Sequence, residues 1–369
     1  MKILVLAPKI VPHHTGTPIR IFEVSKRLGI KHEVFVLSLG LKKNFIKKNK
    51  IKIKIIPYGK LVHIKFLFNI IKYAKKYDII YSHTYLPTLL AILSKPLHKK
   101  KIVCDPHGFV FSQIKFRTPI KKYLIKKLEK FSLKKSDYII AVSNKMKNEI
   151  INFGFDRKKI EVIVTGCPEI GVMRTSKMRK NFRVKKNRTI GYTGNFHKYQ
   201  GVNYLLNAFE KINEKYKDSK LILVGGTEKE IINLRKRYKN PNIMFKKRVS
   251  RNVVFEFMDI CDILVIPRPK VLATEVGFPT KLSEYSISGK AIISTDVGNN
   301  SGIIKNGYNG ILIDSKNIEN ELIEKIDYLF KNPKKTKELG NNARKYALKN
   351  LTWDSIIEKI ERVLFTHFK

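Results

Sequence analysis

From one end to the other, short apolar runs alternate with amphipathic segments, and this alternation is what most restricts the fold. In the first half the runs Lys2–Ala7, His32–Leu39, Ile51–Pro57, Asp78–Ser82, Lys101–Asp105, Asp137–Val142 and Ile160–Thr165 read as strands. Helical patterns lie between them at Pro18–Leu28, Val62–Lys76, Pro119–Lys135 and Lys145–Phe153. A second series follows at Thr189–Tyr192, Lys220–Val224, Asn242–Phe245, Asp262–Pro267, Ala291–Thr295 and Gly310–Ile313, with helices such as Val202–Tyr216 and Lys281–Ser288. Strand-helix alternation of this kind predicts parallel α/β sheets. Thr17-Pro18 offers a capping hydroxyl and then proline at the first helical position. The chain closes on a helical tract from Ile318 to Phe368, interrupted near Asn332-Pro333 and Asn350. Two doubly wound domains facing a central cleft are expected, because such sheets bind ligands at the carboxyl ends of their strands.

The expected division is residues 1–173 as a basic acceptor-binding domain, 174–188 as a linker rich in basic residues, and 189–350 as a nucleotide-sugar domain. Residues 351–369 are read as a terminal helix packing back on the first domain. A length of 369 residues suits two domains. Cys104, Cys167 and Cys261 lie far apart with no CxxC pair, which argues against a disulfide scaffold or zinc ribbon and fits a reducing, cytoplasmic setting. The amino terminus lacks the features of a secretory signal. The longest uncharged stretch, Ile79 to Ser94, is too short and too polar to span a bilayer.

Charge separates the halves. The first 180 residues hold 40 Lys plus Arg against 10 Asp plus Glu, and the remaining 189 hold 35 against 20. An excess of +45 favours an anionic partner: a membrane surface, nucleic acid or a phosphorylated substrate. Aromatic residues are not interleaved with the basic runs as base-stacking platforms would be, so nucleic acid is the weakest of the three. A nicotinamide enzyme is disfavoured because no G-x-G-x-x-G follows the first strand.

The densest chemical signal is Pro267-Arg268-Pro269, then Glu275-Val-Gly-Phe-Pro279-Thr280-Lys281-Leu282-Ser-Glu284-Tyr285, then Gly289-Lys290. It reads as a strand end, a glycine- and proline-containing loop and a helix opening near Thr280. A helix N-terminus beside cations suits a diphosphate. Lys281 in the first turn gains nothing from the helix dipole, so an anion is its natural partner. Glu284, at helical spacing from Thr280 and Lys281, is placed to accept hydrogen bonds from a ribose diol, or it is an ordinary surface acid.

The whole pattern resembles glycosyltransferase family 4, whose members adopt the GT-B fold, an α/β architecture of two Rossmann-like doubly wound domains. The resemblance also includes Gly16-Thr17-Pro18-Ile19-Arg20, the run Asp137–Ser143, Gly194 to Gly201, and the terminal LTWDSIIEKI. It implies a retaining, metal-independent glycosyltransferase that moves a hexose-type sugar from a nucleotide-diphosphate donor to a polysaccharide, glycan or lipid-linked acceptor, with no cofactor. Donor binding then falls to Gly194, Asn195, Thr280, Leu282 and Glu284, with Gly16 and Thr17 approaching the donor phosphates or the acceptor. His107, just past a strand end in Asp105-Pro106-His107-Gly108, matches a histidine placed near the transferred sugar. A sugar-nucleotide epimerase on the same architecture is the alternative.

Two departures from the family pattern matter. The sugar-contacting acid, separated from the second one by seven intervening residues, would fall at Val276; Glu275 stands one residue earlier, so it or backbone near Gly277 and Phe278 is expected to serve. The places for an arginine and a lysine in the glycine loop hold Asn195 and Gln200. A diphosphate leaving group needs positive charge, and no Asp-x-Asp motif is evident to bring a metal. Arg268 and Lys281 are therefore expected to be the clamp, with Lys198 a weaker substitute. His83 has a strand-end position like that of His107, while His13 and His14 are read as exposed loop residues. In Pro119–Lys135, Ile120, Leu124, Leu128 and Phe131 form an apolar stripe among lysines. That stripe either faces the core or lies on an anionic bilayer, the inner face of the cell membrane in this reading.

Overall fold

A computed structural model describes residues 1–10, 16–41, 44–48, 51–113, 116, 118–169, 176–182, 184 and 188–366. His13 and His14 lie outside the described residues, as do 174, 175, 183 and 185–187 of the segment read as a linker. The chain forms two compact units. One comprises Met1–Thr165, Val276–Phe278 and Trp353–Lys369; the other comprises Gly166–Glu275 and Pro279–Thr352.

The first unit is built on strands β1 (Lys2–Ala7), β2 (Glu33–Gly40), β3 (Asn44–Lys48), β4 (Ile51–Pro57), β5 (Ile79–His83), β6 (Lys101–Asp105), β7 (Tyr138–Ala141) and β8 (Ile160–Val162). Their order is β3-β4-β2-β1-β5-β6-β7-β8, parallel except that β3 runs antiparallel to β4. Its helices are α1 (Gly16–Lys31), α2 (Val62–Ala74), α3 (Tyr85–Leu93), α4 (Lys95–His98), α5 (Val110–Gln113), α6 (Pro119–Lys135) and α7 (Asn144–Asn152). In the second unit come α8 (Ser176–Asn181), β9 (Thr189–Thr193), α9 (Val202–Lys215), β10 (Lys220–Gly226), α10 (Glu228–Arg237), β11 (Ile243–Lys247), α11 (Arg251–Ile260) and β12 (Ile263–Ile266). These are followed by α12 (Leu272–Val276), α13 (Thr280–Ser288), β13 (Ala291–Thr295), β14 (Ile311–Ile313), α14 (Ile318–Lys331) and α15 (Pro333–Asn350). The sheet order is β11-β10-β9-β12-β13-β14, all parallel. The last helix, α16 (Trp353–Thr366), returns to the first unit, where Arg27 of α1 meets Asp354 at 2.7 Å.

The central strands are apolar on both faces, as strands covered by helices on either side must be. Leu4, Val5 and Leu6 of β1 and Leu264, Val265 and Ile266 of β12 are fully buried. Local chemistry sets the helix ends. Thr118 Oγ1 accepts the Lys121 amide at 3.3 Å ahead of Pro119, and Thr227 with Glu230 forms a capping box on α10. The predicted strands and helices appear, and further elements join them: α3, α4 and α5 in the first unit, α8 within the stretch read as a linker, and β3, a lysine-bearing edge strand in a segment whose sequence shows no alternation. The stripe on α6 does not face the core. Ile120, Tyr123, Leu124, Leu128 and Phe131 are exposed, and the buried side of the helix carries Glu129, Ser132 and Leu133.

Both sheets reverse direction at one point, between β1 and β5 in the first and between β9 and β12 in the second. Ligands of doubly wound sheets gather where the strand order switches. At the first switch a buried ion pair ties distant parts of the unit together. Arg20 of α1 donates from Nε to Asp105 Oδ2 (2.9 Å), from Nη1 to the Val164 carbonyl (2.7 Å) and from Nη2 to the Ile163 carbonyl (3.1 Å). Burial alone would raise the Asp105 carboxyl. The Arg20 guanidinium, the two nearby histidines and the Tyr81 hydroxyl more than offset it, leaving Asp105 well below the usual carboxylate range. Arg20→Met strands that carboxylate without its main partner. We expect it to destabilise the first unit by about 3–5 kcal/mol, measured by urea unfolding. A loss below about 1 kcal/mol would show that the Arg20–Asp105 pair contributes little to the stability of this unit.

Candidate functional site

The second unit's switch point collects the residues that the sequence singled out for an anion. β9 runs into Gly194, β12 runs into Arg268, and α13 opens at Thr280 with no side chain capping its first turn. Lys281 and Arg268 are both almost completely buried, at 8% and 6% exposure. The Lys281 ammonium bonds the Gln200 side-chain oxygen at 3.3 Å and stands 3.8 Å over the Tyr192 ring. Arg268 lies 5.9 Å over the Tyr199 ring, and its Nε and Nη1 have no hydrogen-bond partner. Neither cation has a carboxylate within ion-pair distance among the described residues. Burial is the largest influence on both, and it pushes both down. For Lys281, Arg268 adds to the fall and Glu284 opposes it; for Arg268, Tyr199 and Tyr192 oppose the fall.

The glycine loop is shaped to admit Lys281. Gly194 has φ +131°, and a Cβ there would sit 2.9 Å from the Lys281 Nζ, so only glycine leaves the ammonium its place. Asn195 follows, its carbonyl accepting from the Tyr192 hydroxyl at 2.7 Å and its side-chain oxygen accepting the His197 amide at 3.3 Å. The Tyr285 hydroxyl accepts the Thr193 amide at 2.8 Å, locking α13 to the end of β9. Lys198 is exposed in the loop, away from this buried group.

Glu284 lies one turn along α13 and is held at 2.8 Å by Arg251, the first residue of α11. Burial raises its carboxyl and Arg251 opposes that. Thr280 is half-buried, and Leu282 is fully buried in the core rather than presented to a ligand. Glu275, on α12, accepts the Gly298 amide at 3.2 Å through Oε1. Arg251 went unnoticed in the sequence, since nothing in its spacing ties it to an acid 33 residues later.

In the first unit, Gly16 and Thr17 form the half-buried opening of α1. His107 adopts φ +58°, a left-handed conformation uncommon for a residue with a side chain, and its Nε2 lies 3.0 Å from His83 Nδ1. Asp105 is 3.7 Å from His107 and 3.9 Å from His83. The ligand atoms of these three residues lie within 4.8 Å of one another, close enough to hold a cation. Arg20 already neutralises the carboxylate, and the two rings share a proton between the atoms that would ligate. Burial, reinforced by Arg20 and opposed by Asp105, brings His107 down to about 4, so both imidazoles are neutral at neutral pH and one donates to the other.

Comparison with known proteins follows the same division. Residues 15–168 match the family model described as Glycosyltransferase Family 4, and residues 173–346 match the model Glycosyl transferases group 1. The chain is 25% identical to an uncharacterized glycosyltransferase of Methanocaldococcus jannaschii, MJ1069, over 98% of both chains. It is 24% identical to the capsular polysaccharide biosynthesis glycosyltransferase CapM of Staphylococcus aureus, over 68% of this chain and 67% of the relative. The crystal structure of Anabaena HepE in complex with UDP-glucose superposes with a TM-score of 0.80 at 18% identity, covering 99% of this chain and 100% of that one.

The buried cations carry a pH signature. In the empty site Lys281 is pushed toward its neutral form, whereas a bound diphosphate favours the ammonium. Binding must therefore draw in a proton and weaken as pH rises above the free site's lowered value. Calorimetric titration with inorganic pyrophosphate in buffers of different ionisation enthalpy is expected to show a proton balance shifted toward uptake in the wild type relative to Lys281→Met, the ligand's own titration being common to both. The same proton balance in both proteins would contradict the assignment.

Proposed function

We propose, for a chain that belongs to the GT-B glycosyltransferases built from a Family 4 domain and a group 1 domain, that it moves a hexose-type sugar from a nucleotide-diphosphate donor to a polysaccharide, glycan or lipid-linked acceptor with retention of configuration. The observation that carries this reading is the pair of buried basic side chains, Arg268 and Lys281, with no carboxylate within ion-pair distance among the described residues. Burying charge without a counter-ion is costly, and a diphosphate relieves that cost when it binds. Positive charge fixed beside the departing phosphate stabilises a transition state in which negative charge develops on the leaving group. In this proposal those two side chains do the work of the cations that Asn195 and Gln200 replace. The transfer needs neither a metal nor a cofactor.

The remaining roles complete the proposal. Arg251 orients Glu284 toward the ribose hydroxyls. Thr280 and the Gly194-Asn195 loop border the phosphates, while Leu282 supports the first turn of α13 from the core. Glu275 and His107 serve the transferred sugar, and Gly16 and Thr17 serve the phosphates or the acceptor. The UDP-glucose held by Anabaena HepE makes uridine donors the first to try.

The first unit adds a second element. Among the described residues no helix is long and apolar enough to cross a membrane. On α6, however, exposed Ile120, Leu124, Leu128 and Phe131 stand beside Lys121, Lys122, Lys126, Lys127 and Lys130. We infer that this face rests on an anionic bilayer at the cytoplasmic side, its apolar residues entering the interface and its lysines meeting lipid phosphates.

Two experiments test these readings. Thermal-shift titration with UDP, GDP, ADP and their sugars should raise Tm for one nucleotide family. Arg268→Ala should lower turnover of the matching donor by about 10²-fold or more; near-normal turnover removes Arg268 from the clamp, and an epimer formed from donor alone would favour the epimerase alternative. Flotation with phosphatidylglycerol vesicles, but not phosphatidylcholine vesicles, should carry the protein. The double variant L124E/L128E, altered only at exposed positions, should stay behind; equal flotation of both proteins would reject the docking face.

A further inference from the structure

The loop that carries His107 is held by a carboxylate on the inner side of α6. α5 is a single turn, and its first amides have no carbonyl partner within the helix. Glu129 supplies both acceptors: the Val110 amide donates to Oε1 at 3.0 Å and the Phe111 amide to Oε2 at 3.3 Å. Glu129 is only 1% exposed although its neighbours in sequence are lysines. Those lysines face elsewhere. Lys126 lies 5.5 Å over the Phe111 ring, Lys127 4.7 Å over Tyr123 and Lys130 4.4 Å over Phe153. From α3 and β6 the groups facing it are the Tyr85 hydroxyl and the Cys104 thiol, both raised by burial and hence uncharged.

A buried carboxylate without a counter-charge is expensive, and an apolar residue would fill the same space at no such cost. What the carboxylate alone offers is two equivalent oxygens for two adjacent amides. The backbone just before those amides is under tension, with His107 at φ +58° and Gly108 at φ +155°. Phe109, fully buried and stacked on Phe111 at 5.4 Å, links the strained pair to the captured turn.

We propose that Glu129 is a positioning residue for the transfer reaction: by taking both amides it fixes the start of α5 and, through Gly108 and Phe109, the orientation of His107. This rests on the role given to His107 above. Burial pushes the Glu129 carboxyl up to about 7, against the two amide bonds. Protonation replaces one acceptor by a hydroxyl facing an N–H, and glutamine does the same with its amide. The hold is therefore complete above pH 7 and relaxes as pH falls through it.

Hydrogen exchange of the peptide spanning 107–113, corrected for intrinsic rates, needs no substrate. In the wild type its protection is expected to fall about tenfold from pH 8 to pH 6, and in Glu129→Gln to be low and insensitive to pH. With the matching donor, kcat of the wild type should decline over the same interval. The variant should show a low, flat kcat profile with UDP affinity within twofold, because the phosphate clamp belongs to the other unit. Protection that does not change with pH overturns the proposal, even if the variant fails to fold, and so does a variant that keeps the wild-type kcat profile. A wild type that binds no nucleotide diphosphate defeats the functional reading instead, leaving the exchange result to stand by itself.

Discussion

Two positive side chains buried at one switch point, with no carboxylate within ion-pair distance among the described residues, set the terms for the second unit. Gly194 must lack a side chain because the Lys281 ammonium occupies that space. Gln200 offers its side-chain oxygen, and Tyr192 its ring face, to the ammonium. Arg268 keeps two donors unmet at the end of β12. Each of these arrangements costs free energy in the empty protein, and under the proposed function a phosphate group arriving there would offset that cost. A site that is poorly satisfied alone and well satisfied with ligand binds tightly without further rearrangement.

The first unit makes the opposite choice with the same kinds of groups. Arg20, Asp105, Tyr81, His83 and His107 form a cluster in which the guanidinium and the carboxylate compensate each other at 2.9 Å. Little net charge remains for a ligand. The cluster instead fixes the end of β6 and the loop beyond it, and Glu129 secures that loop from the other side. In the proposed function electrostatics bind a charged donor in the second unit, whereas in the first they hold the structure together.

Much of this was legible in the sequence, because strand-helix alternation and the opening of α13 are local patterns. Arg268 and Lys281 could be picked out by the chemistry a diphosphate needs once Asn195 and Gln200 were seen to be uncharged. What escaped was contact between distant residues. Arg251 reaches Glu284 across 33 positions, and Arg20 reaches Asp105 across 85. Glu129 looked like one acid in a lysine-rich helix; only its burial separates it from the surface. The α6 stripe was ambiguous for a related reason, since spacing defines a helix face but not what that face meets. β3 escaped because Asn44–Lys48 holds two adjacent apolar residues beside two lysines and shows no alternation to read.

Placing the proposed phosphate-binding charge at a strand end and a helix start, rather than in the glycine loop, has a consequence beyond replacement. Cations on a loop are partly solvated and stay charged whatever is bound. Here both sit in the core, where burial lowers the affinity of Lys281 for its proton and leaves Arg268 without solvent. The Lys281 charge is then coupled to occupancy in the proposed function: a ligand that favours the ammonium raises its hold on the proton, while the Arg268 guanidinium stays charged. The attraction is weakest when the site is empty and strongest when a diphosphate is in place and excludes water, since a lower local dielectric strengthens the interaction. A leaving group that gains negative charge during transfer meets the largest response, which is the direction in which a site must be biased to favour the transition state over the bound substrate.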